Sequence, residues 1–343
     1  MKKKILVTGG TGYIGSHTSV ELILDGFEVI IIDNLYNSDA DVVDGIDKIT
    51  GFKPRLEVFD LCDKHKTDKF FRENKDIAAV IHFAAYKAVG ESASKPLEYY
   101  RNNLLSLINL LDSMKTYGVG NLVFSSSCTV YGQPEELPVT EKSPLQPATS
   151  PYGNTKQIGE EIIRDATISS DKIKAIALRY FNPIGAHPSA LIGELPRGVP
   201  ENLVPYITQT AIGLREELKV FGDDYDTPDG SCIRDYLHVS DLAKAHVVAV
   251  LRLIGSMNKK SYEVFNLGTG KGVSVLEAIH SFEKVSRVKL KYKITGRRQG
   301  DIVKIWADPS LANSELGWKT TYSLDDCMKT AWDWEKQIRK NQK

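Results

Sequence analysis

Short runs of apolar, mostly β-branched residues recur through the first half of the chain: Ile5-Leu6-Val7, Val29-Ile30-Ile31-Ile32, Ala79-Val80-Ile81 and Leu122-Val123-Phe124. Their apolar character is continuous rather than alternating, which is what a parallel strand buried on both faces requires. Longer amphipathic stretches separate them and predict helices near residues 14–25, 64–73 and 96–117. Strand–helix alternation joined by right-handed crossovers builds an α/β fold with a doubly wound parallel sheet. A further strand at 175–178 ends in Arg179-Tyr180-Phe181-Asn182-Pro183. Beyond it Pro and Gly become frequent over 183–205 and again over 222–230, the texture of a smaller, loop-rich domain. Residues 235–253 and 263–267 again look like core helix and strand. We therefore expect a sheet domain over 1–182 with returning segments near 235–267, and a second domain made mainly of 183–343.

Composition narrows this little. At 343 residues, with 42% hydrophobic and 26% charged, the chain has the make-up of a globular protein of about two domains, not of a disordered one. Lys+Arg and Asp+Glu are equal at 44 each, so no net field draws in nucleic acid or an anionic membrane. The opening Met1-Lys2-Lys3-Lys4-Ile5-Leu6-Val7 offers too few apolar residues for a signal peptide, and no run is long enough for a membrane span. The four cysteines, Cys62, Cys128, Cys232 and Cys327, have no metal-ligand spacing and read as reduced thiols. A soluble cytoplasmic protein is expected.

Chemistry enters at Thr8-Gly9-Gly10-Thr11-Gly12-Tyr13-Ile14-Gly15, which follows a strand and opens a helix. Both Gly9-x-x-Gly12-x-x-Gly15 and Gly10-x-Gly12-x-x-Gly15 fit the fingerprint of a Rossmann-type dinucleotide site. Glycine permits the tight turn and lets backbone N–H groups approach a pyrophosphate at the helix N-terminus. Asp33 ends the next strand, where a carboxylate bonds a ribose 2′-hydroxyl and repels a 2′-phosphate. Residues 34–38 supply no arginine to receive such a phosphate. The cofactor expected is NAD.

Tyr152 and Lys156 stand four residues apart at the start of a helix introduced by Ser150-Pro151, so they share one face. A phenol ionises near pH 10, and a neighbouring ammonium at roughly 5 Å favours the phenolate by about 3 kcal/mol, or roughly two pK units. The positive nicotinamide ring of NAD+ pushes the same way, and the two charges together make Tyr152 a base able to take a hydroxyl proton near neutrality. The serine-rich segment Phe124-Ser125-Ser126-Ser127-Cys128 lies at the carboxyl end of a strand, where hydroxyls face the crevice.

Gly9, Gly12, Gly15, Asp33, Ser127, Tyr152 and Lys156 together resemble the extended short-chain dehydrogenase/reductase family. The segments 83–92, 179–187, 234–236 and 297–301 narrow the resemblance to that family's sugar-nucleotide 4-epimerases, over essentially the whole chain. The resemblance implies interconversion of UDP-galactose and UDP-glucose through a 4-keto sugar, with NAD retained, by an enzyme that pairs as a homodimer. It assigns catalysis to Tyr152, Lys156 and Ser127. It assigns NAD contacts to Gly9, Gly12, Tyr13, Ile14, Gly15, Asp33, Asn34, Leu35, Tyr36, Asn37, Ser38, Asp60, Leu61, Phe83, Ala84, Ala85, Lys87, Asn102 and Ser125, and to Tyr152, Lys156, Tyr180 and Phe181. The UDP-sugar would meet Lys87, Ser127, Tyr152, Phe181, Asn182, Asn202, Leu203, Lys219, Phe221, Arg234, Tyr236, Arg298 and Asp301. Arg234 and Arg298 would hold phosphate, Phe221 would pack on uracil and Asp301 would accept from ribose.

Two departures from the pattern stand out. Cys128 occupies a position that holds alanine in many members, and Ile305 lies where residue size sets the sugar pocket, which leaves N-acetylated sugars open. The rival sugar-nucleotide dehydratases carry an acid pair directly after the catalytic hydroxyl, where this chain has Cys128-Thr129. The histidines, and Trp332 and Trp334, read as packing residues.

Overall fold

The computed structural model describes residues 2–298 and 301–340; Met1, together with Gln299 and Gly300 of the 297–301 motif, lies outside the described residues. Strand–helix alternation begins at once: β1 (Lys4–Thr8), α1 (Tyr13–Leu24), β2 (Glu28–Asp33), α2 (Val42–Thr50), β3 (Arg55–Val58), α3 (Lys64–Glu73) and β4 (Ile77–His82). It continues with α4 (Val89–Ser94), α5 (Pro96–Tyr117), β5 (Asn121–Ser127), α6 (Pro151–Ile168) and β6 (Lys174–Tyr180). The loop-rich part holds β7 (Asn182–Ile184), α7 (Leu203–Ala211), β8 (Leu218–Phe221), β9 (Ile233–Arg234) and β10 (Tyr236–His238). The chain then runs through α8 (Val239–Ile254), β11 (Tyr262–Leu267), β12 (Val273–Ser274), α9 (Val275–Ser286), β13 (Tyr292–Thr295) and α10 (Leu324–Lys340).

Seven strands form one parallel sheet in the order β11-β6-β5-β4-β1-β2-β3, the Rossmann-type arrangement expected. The order reverses direction at β1, so the crevice at the carboxyl ends of β1 and β4 is a topological switch point, where such sheets bind ligands. Helices cover both faces. One core packs Ile5, Val7, Ile31 and Ile81 under α1 and α8, and the other packs Leu6, Ile30, Val80 and Leu122 under α3, α5 and α6. Alternate residues of β1 therefore serve opposite layers, which is why the strand reads as one unbroken apolar run.

The edge strand β3 was not expected. Its sequence Arg-Leu-Glu-Val is half polar and partly exposed, as an edge position tolerates. A separate core gathers α7, α9 and α10 around Ile207, Ile279, Phe282 and Met328. Parallel pairing of β7 with β10 and of β8 with β13 shapes the ground beyond the sheet's carboxyl edge.

Candidate active site

The glycine turn is shaped by crowding. Gly9 sits at φ +69°, and a Cβ there would stand 2.7 Å from the Ala84 nitrogen. A Cβ on Gly15 would stand 2.3 Å from the Gly9 carbonyl oxygen. Gly9, not Gly10, makes the positive-φ turn, which selects Gly9-x-x-Gly12-x-x-Gly15 of the two spacings. The N-cap of α1 is Gly12, without a side-chain cap and with no acid in the first turn. Its first N–H groups thus present an anion site, and the donor set fits a pyrophosphate.

Beside this turn Asp33 is organised by its own loop. One carboxylate oxygen accepts from the Leu35 N–H (2.9 Å) and the Ser38 hydroxyl (3.3 Å), and the other from the Thr11 N–H (3.2 Å). Leu35 adopts φ +58° to make that loop. Asn34 donates to Asp60 at 3.2 Å, and the exposed Tyr36 ring packs 4.7 Å from Tyr86. Asn37 is exposed alongside, and Leu61 is buried beneath. Asn102 donates to Asn103, whose oxygen also receives the Tyr86 N–H. The Phe83 N–H bonds Thr8 at the end of β1, with Ala84 and Ala85 next along the rim. Half-buried Ile14 packs into the core below, and the Tyr13 hydroxyl donates to the Gly185 carbonyl at 2.6 Å.

Catalytic candidates converge at the carboxyl end of β5. Ser150 caps α6 by accepting from the Gly153 N–H at 3.1 Å, and Pro151 fills the first turn, so the helix starts where Tyr152 is needed. Lys156 is buried; its Nζ donates to the Ser125 carbonyl at 2.6 Å and lies 4.9 Å over the Phe124 ring and 5.9 Å over the Tyr152 ring. The Tyr180 hydroxyl pairs with the Ser125 hydroxyl.

Burial adds an influence that the spacing of Tyr152 and Lys156 does not show. Burial pushes the Tyr152 phenol well above its ordinary value, and a hydrogen bond with Ser127 offsets only part of this. Burial likewise pulls Lys156 down to about 8, against the pull of Glu160. Proximity alone therefore does not make a phenolate, because the same desolvation weakens both charged forms. A base at Tyr152 needs additional positive charge.

Three further groups surround this centre. Phe181, buried, packs with Val130, Tyr131, Val139, Ile305 and Ala307, and Ile305 is 2% exposed within that cluster. The buried Asn182 Oδ1 has no hydrogen-bond partner among the described residues, an unusual cost for a buried carbonyl. Arg298 donates through Nε (3.1 Å) and Nη2 (2.6 Å) to Asp301 Oδ1, which lies 3.9 Å from Arg234. Arg298 also stacks 5.5 Å over the partly exposed Phe221, which shares the outer face of β8 with Lys219. Tyr236 is buried two positions after Arg234, and the Arg234 charge reaches both its phenol and the Cys128 thiol.

Other residues of the site carried no sequence signal. Glu194 Oε1 accepts from both Lys87 (3.2 Å) and Asn202 (2.7 Å) ahead of Leu203 on α7. Trp334, expected to pack, also donates from Nε1 to the Glu194 carbonyl at 2.9 Å. Glu160 holds Arg179 at 2.5 and 2.8 Å in the interior behind Lys156; its spacing four residues after Lys156 was the one readable clue.

The family model described as GDP-mannose 4,6 dehydratase matches residues 6–331. UDP-glucose 4-epimerase of Bacillus subtilis (strain 168) is 50% identical over 331 residues, covering 96% of each chain. The crystal structure of UDP-glucose 4-epimerase from Stenotrophomonas maltophila, with bound NAD and formylated UDP-arabinopyranose, superposes with a TM-score of 0.95 at 47% identity over 99% of both chains. That from Bifidobacterium longum, in complex with NAD+ and UDP, gives 0.93 at 46% identity over 98% of this chain and 99% of that one.

Proposed function

The chain belongs to the UDP-glucose 4-epimerase family, and on that premise we propose that it interconverts UDP-galactose and UDP-glucose by inverting C4 of the hexose. The observation that carries the reading is the gathering of Tyr152, hydrogen-bonded to Ser127, and buried Lys156 at the carboxyl end of β5, with a separate cluster of Arg234, Arg298 and Asp301 to hold phosphate. The two carboxylate-like positions that a dehydratase needs after the hydroxyl are here Cys128 and Thr129.

NAD, when bound, supplies the acceptor and the return donor of a hydride at C4, and brings a positive charge to the phenol side of the site. Gly9, Gly12 and Gly15 would hold its pyrophosphate on the start of α1, and Asp33 its ribose. Tyr152 takes the proton of the C4 hydroxyl, and Ser127 bonds the same oxygen. Lys156 steadies the phenolate through charge while its bond to Ser125 keeps the geometry. Forked arginines suit the diphosphate, and Phe221 suits the uracil face. A firm hold on the nucleotide with a loose one on the sugar lets a 4-keto sugar turn and present either face.

Residues 1–182, with 235–267 returning, would serve the cofactor, and 183–343 mainly the UDP-sugar. We also propose a cytoplasmic homodimer. Leu97, Leu105 and Ile108 stand exposed along one stripe of α5, in keeping with a second copy packing there. No helix among the described residues is long and apolar enough to cross a membrane.

The test is to incubate the purified protein with UDP-galactose and no added cofactor, then assay UDP-glucose. Conversion is expected. Conversion only after NAD is added would overturn the retained cofactor, and none in either case would overturn the reaction.

A further inference from the structure

The loop that follows Asp33 is gripped from two sides. On the inside, Asp33 holds Leu35 and Ser38, and the Ser38 hydroxyl also bonds Thr11 Oγ1 at 2.6 Å beside the glycine turn. On the outside the partner is a single guanidinium from far along the chain. Arg197 donates from Nη1 to the Tyr36 carbonyl (3.1 Å), and from Nη2 to the Ser38 carbonyl (2.8 Å) and to Asp39 Oδ1 (2.7 Å). Three acceptors spread over four consecutive positions suit a planar fork and would not all be met by an ammonium.

The segment that delivers Arg197 is itself fixed. Ile192 is buried and packs against Gly45 of α2, where a Cβ would come within 2.8 Å of it. Gly193 lies under the Trp334 ring so closely that a Cβ would stand 2.5 Å away. Glu194 is bonded by Lys87, Asn202 and Trp334, and the Gly198 carbonyl accepts from Arg215 at 3.3 Å. A rigid arm thus reaches back over a loop that contains a left-handed leucine, a conformation that persists only when its surroundings hold it.

We infer that Arg197 is a cofactor-retaining residue: it pins the Tyr36–Asp39 loop shut and sets how slowly a bound dinucleotide leaves. This rests on the dinucleotide reading of the Gly9–Asp33 site. The loop walls the side of that site next to Asp33, so a ligand held by that carboxylate exits when the loop lifts, and lifting breaks all three bonds of Arg197. The grip joins the second half of the chain to the first, so a reaction that regenerates its own cofactor is served by one that seldom dissociates.

The experiment measures NAD release from purified holoenzyme by rapid filtration, for the wild type, Arg197→Ala, Arg197→Lys and Asp39→Asn. Charge-assisted bonds of this kind, at a half-exposed position, predict release about tenfold faster from Arg197→Ala. Arg197→Lys and Asp39→Asn should fall between it and the wild type. Added salt should speed wild-type release and leave Arg197→Ala unchanged, a response that a purely structural role would not give. Release from all three variants within twofold of the wild type, with NAD retained, would overturn the role of Arg197 alone. Wild-type protein that holds no NAD would overturn the dinucleotide reading and the inference with it. If Arg197→Ala fails to fold, the other two variants decide.

Discussion

The ammonium of Lys156 lies 2.6 Å from the carbonyl oxygen of Ser125, so the helix that carries Tyr152 is bolted to the strand that carries Ser127. The position of the Lys156 charge is thereby tied to the strand end that carries Ser127.

Burial brings Lys156 to about 8, below the ordinary lysine value of 10.5. Its charge is present below that pH and lost above it, so turnover should fall as pH rises through about 8. Lys156→Met should lose this descending limb and climb with pH as Tyr152 ionises, from a rate lowered by roughly 10²–10⁴-fold. A pH–rate profile of the variant that keeps the wild-type limb would remove Lys156 from the titration.

Tyr152→Phe removes the hydroxyl and little volume. Turnover should drop by about 10²–10⁴-fold, while calorimetric binding of UDP stays near wild type. Substantial remaining turnover would mean that another group takes the C4 proton.

Arg298→Ala deletes a fork that also holds Asp301 and covers Phe221. Affinity for UDP and for UDP-galactose should weaken alike, by about 10–100-fold, because both ligands carry the same diphosphate. A loss confined to the sugar-bearing ligand would put Arg298 elsewhere in the pocket.

Glu160 and Arg179 are both buried, with side chains 6% exposed, and Ser126 and Tyr262 also bond the carboxylate. Arg179→Ala would strand Glu160 without its cation and should destabilise the fold by about 3–5 kcal/mol, read as a lowered denaturation midpoint. A midpoint within error of the wild type would show that the pair is not needed for folding.

The inner strands were legible because Ile5 to Val7 and Val29 to Ile32 are apolar at every position, and burial on both faces is the environment that demands this. Tyr152 and Lys156 were legible because their spacing is that of one helical face. By contrast β3 alternates Arg55 and Glu57 with apolar residues at an edge, and so left no such run. Glu194 and Arg197 were invisible for a different reason. Lys87 and Tyr36, which they bond, lie more than a hundred positions away, and the stretch that carries Glu194 and Arg197 has a Pro and Gly content that says only that it is loop. What the spacing of Tyr152 and Lys156 could not show is burial, which raises the phenol and lowers the ammonium.

The pairing of β11 with β6 also fixes a timetable for synthesis. Residues 262–267 close the sheet against residues 175–180, and everything between is made first. At about 5–20 residues per second on the ribosome, β6 waits roughly 4–16 s for the strand that covers it. During that interval its backbone edge is open to any other extended chain, a hazard that finished sheets avoid. A nascent chain halted before Tyr262 would already contain Ser127, Tyr152 and Lys156, yet would leave β6, the neighbour of the strand that carries Ser127, as the open edge of the sheet.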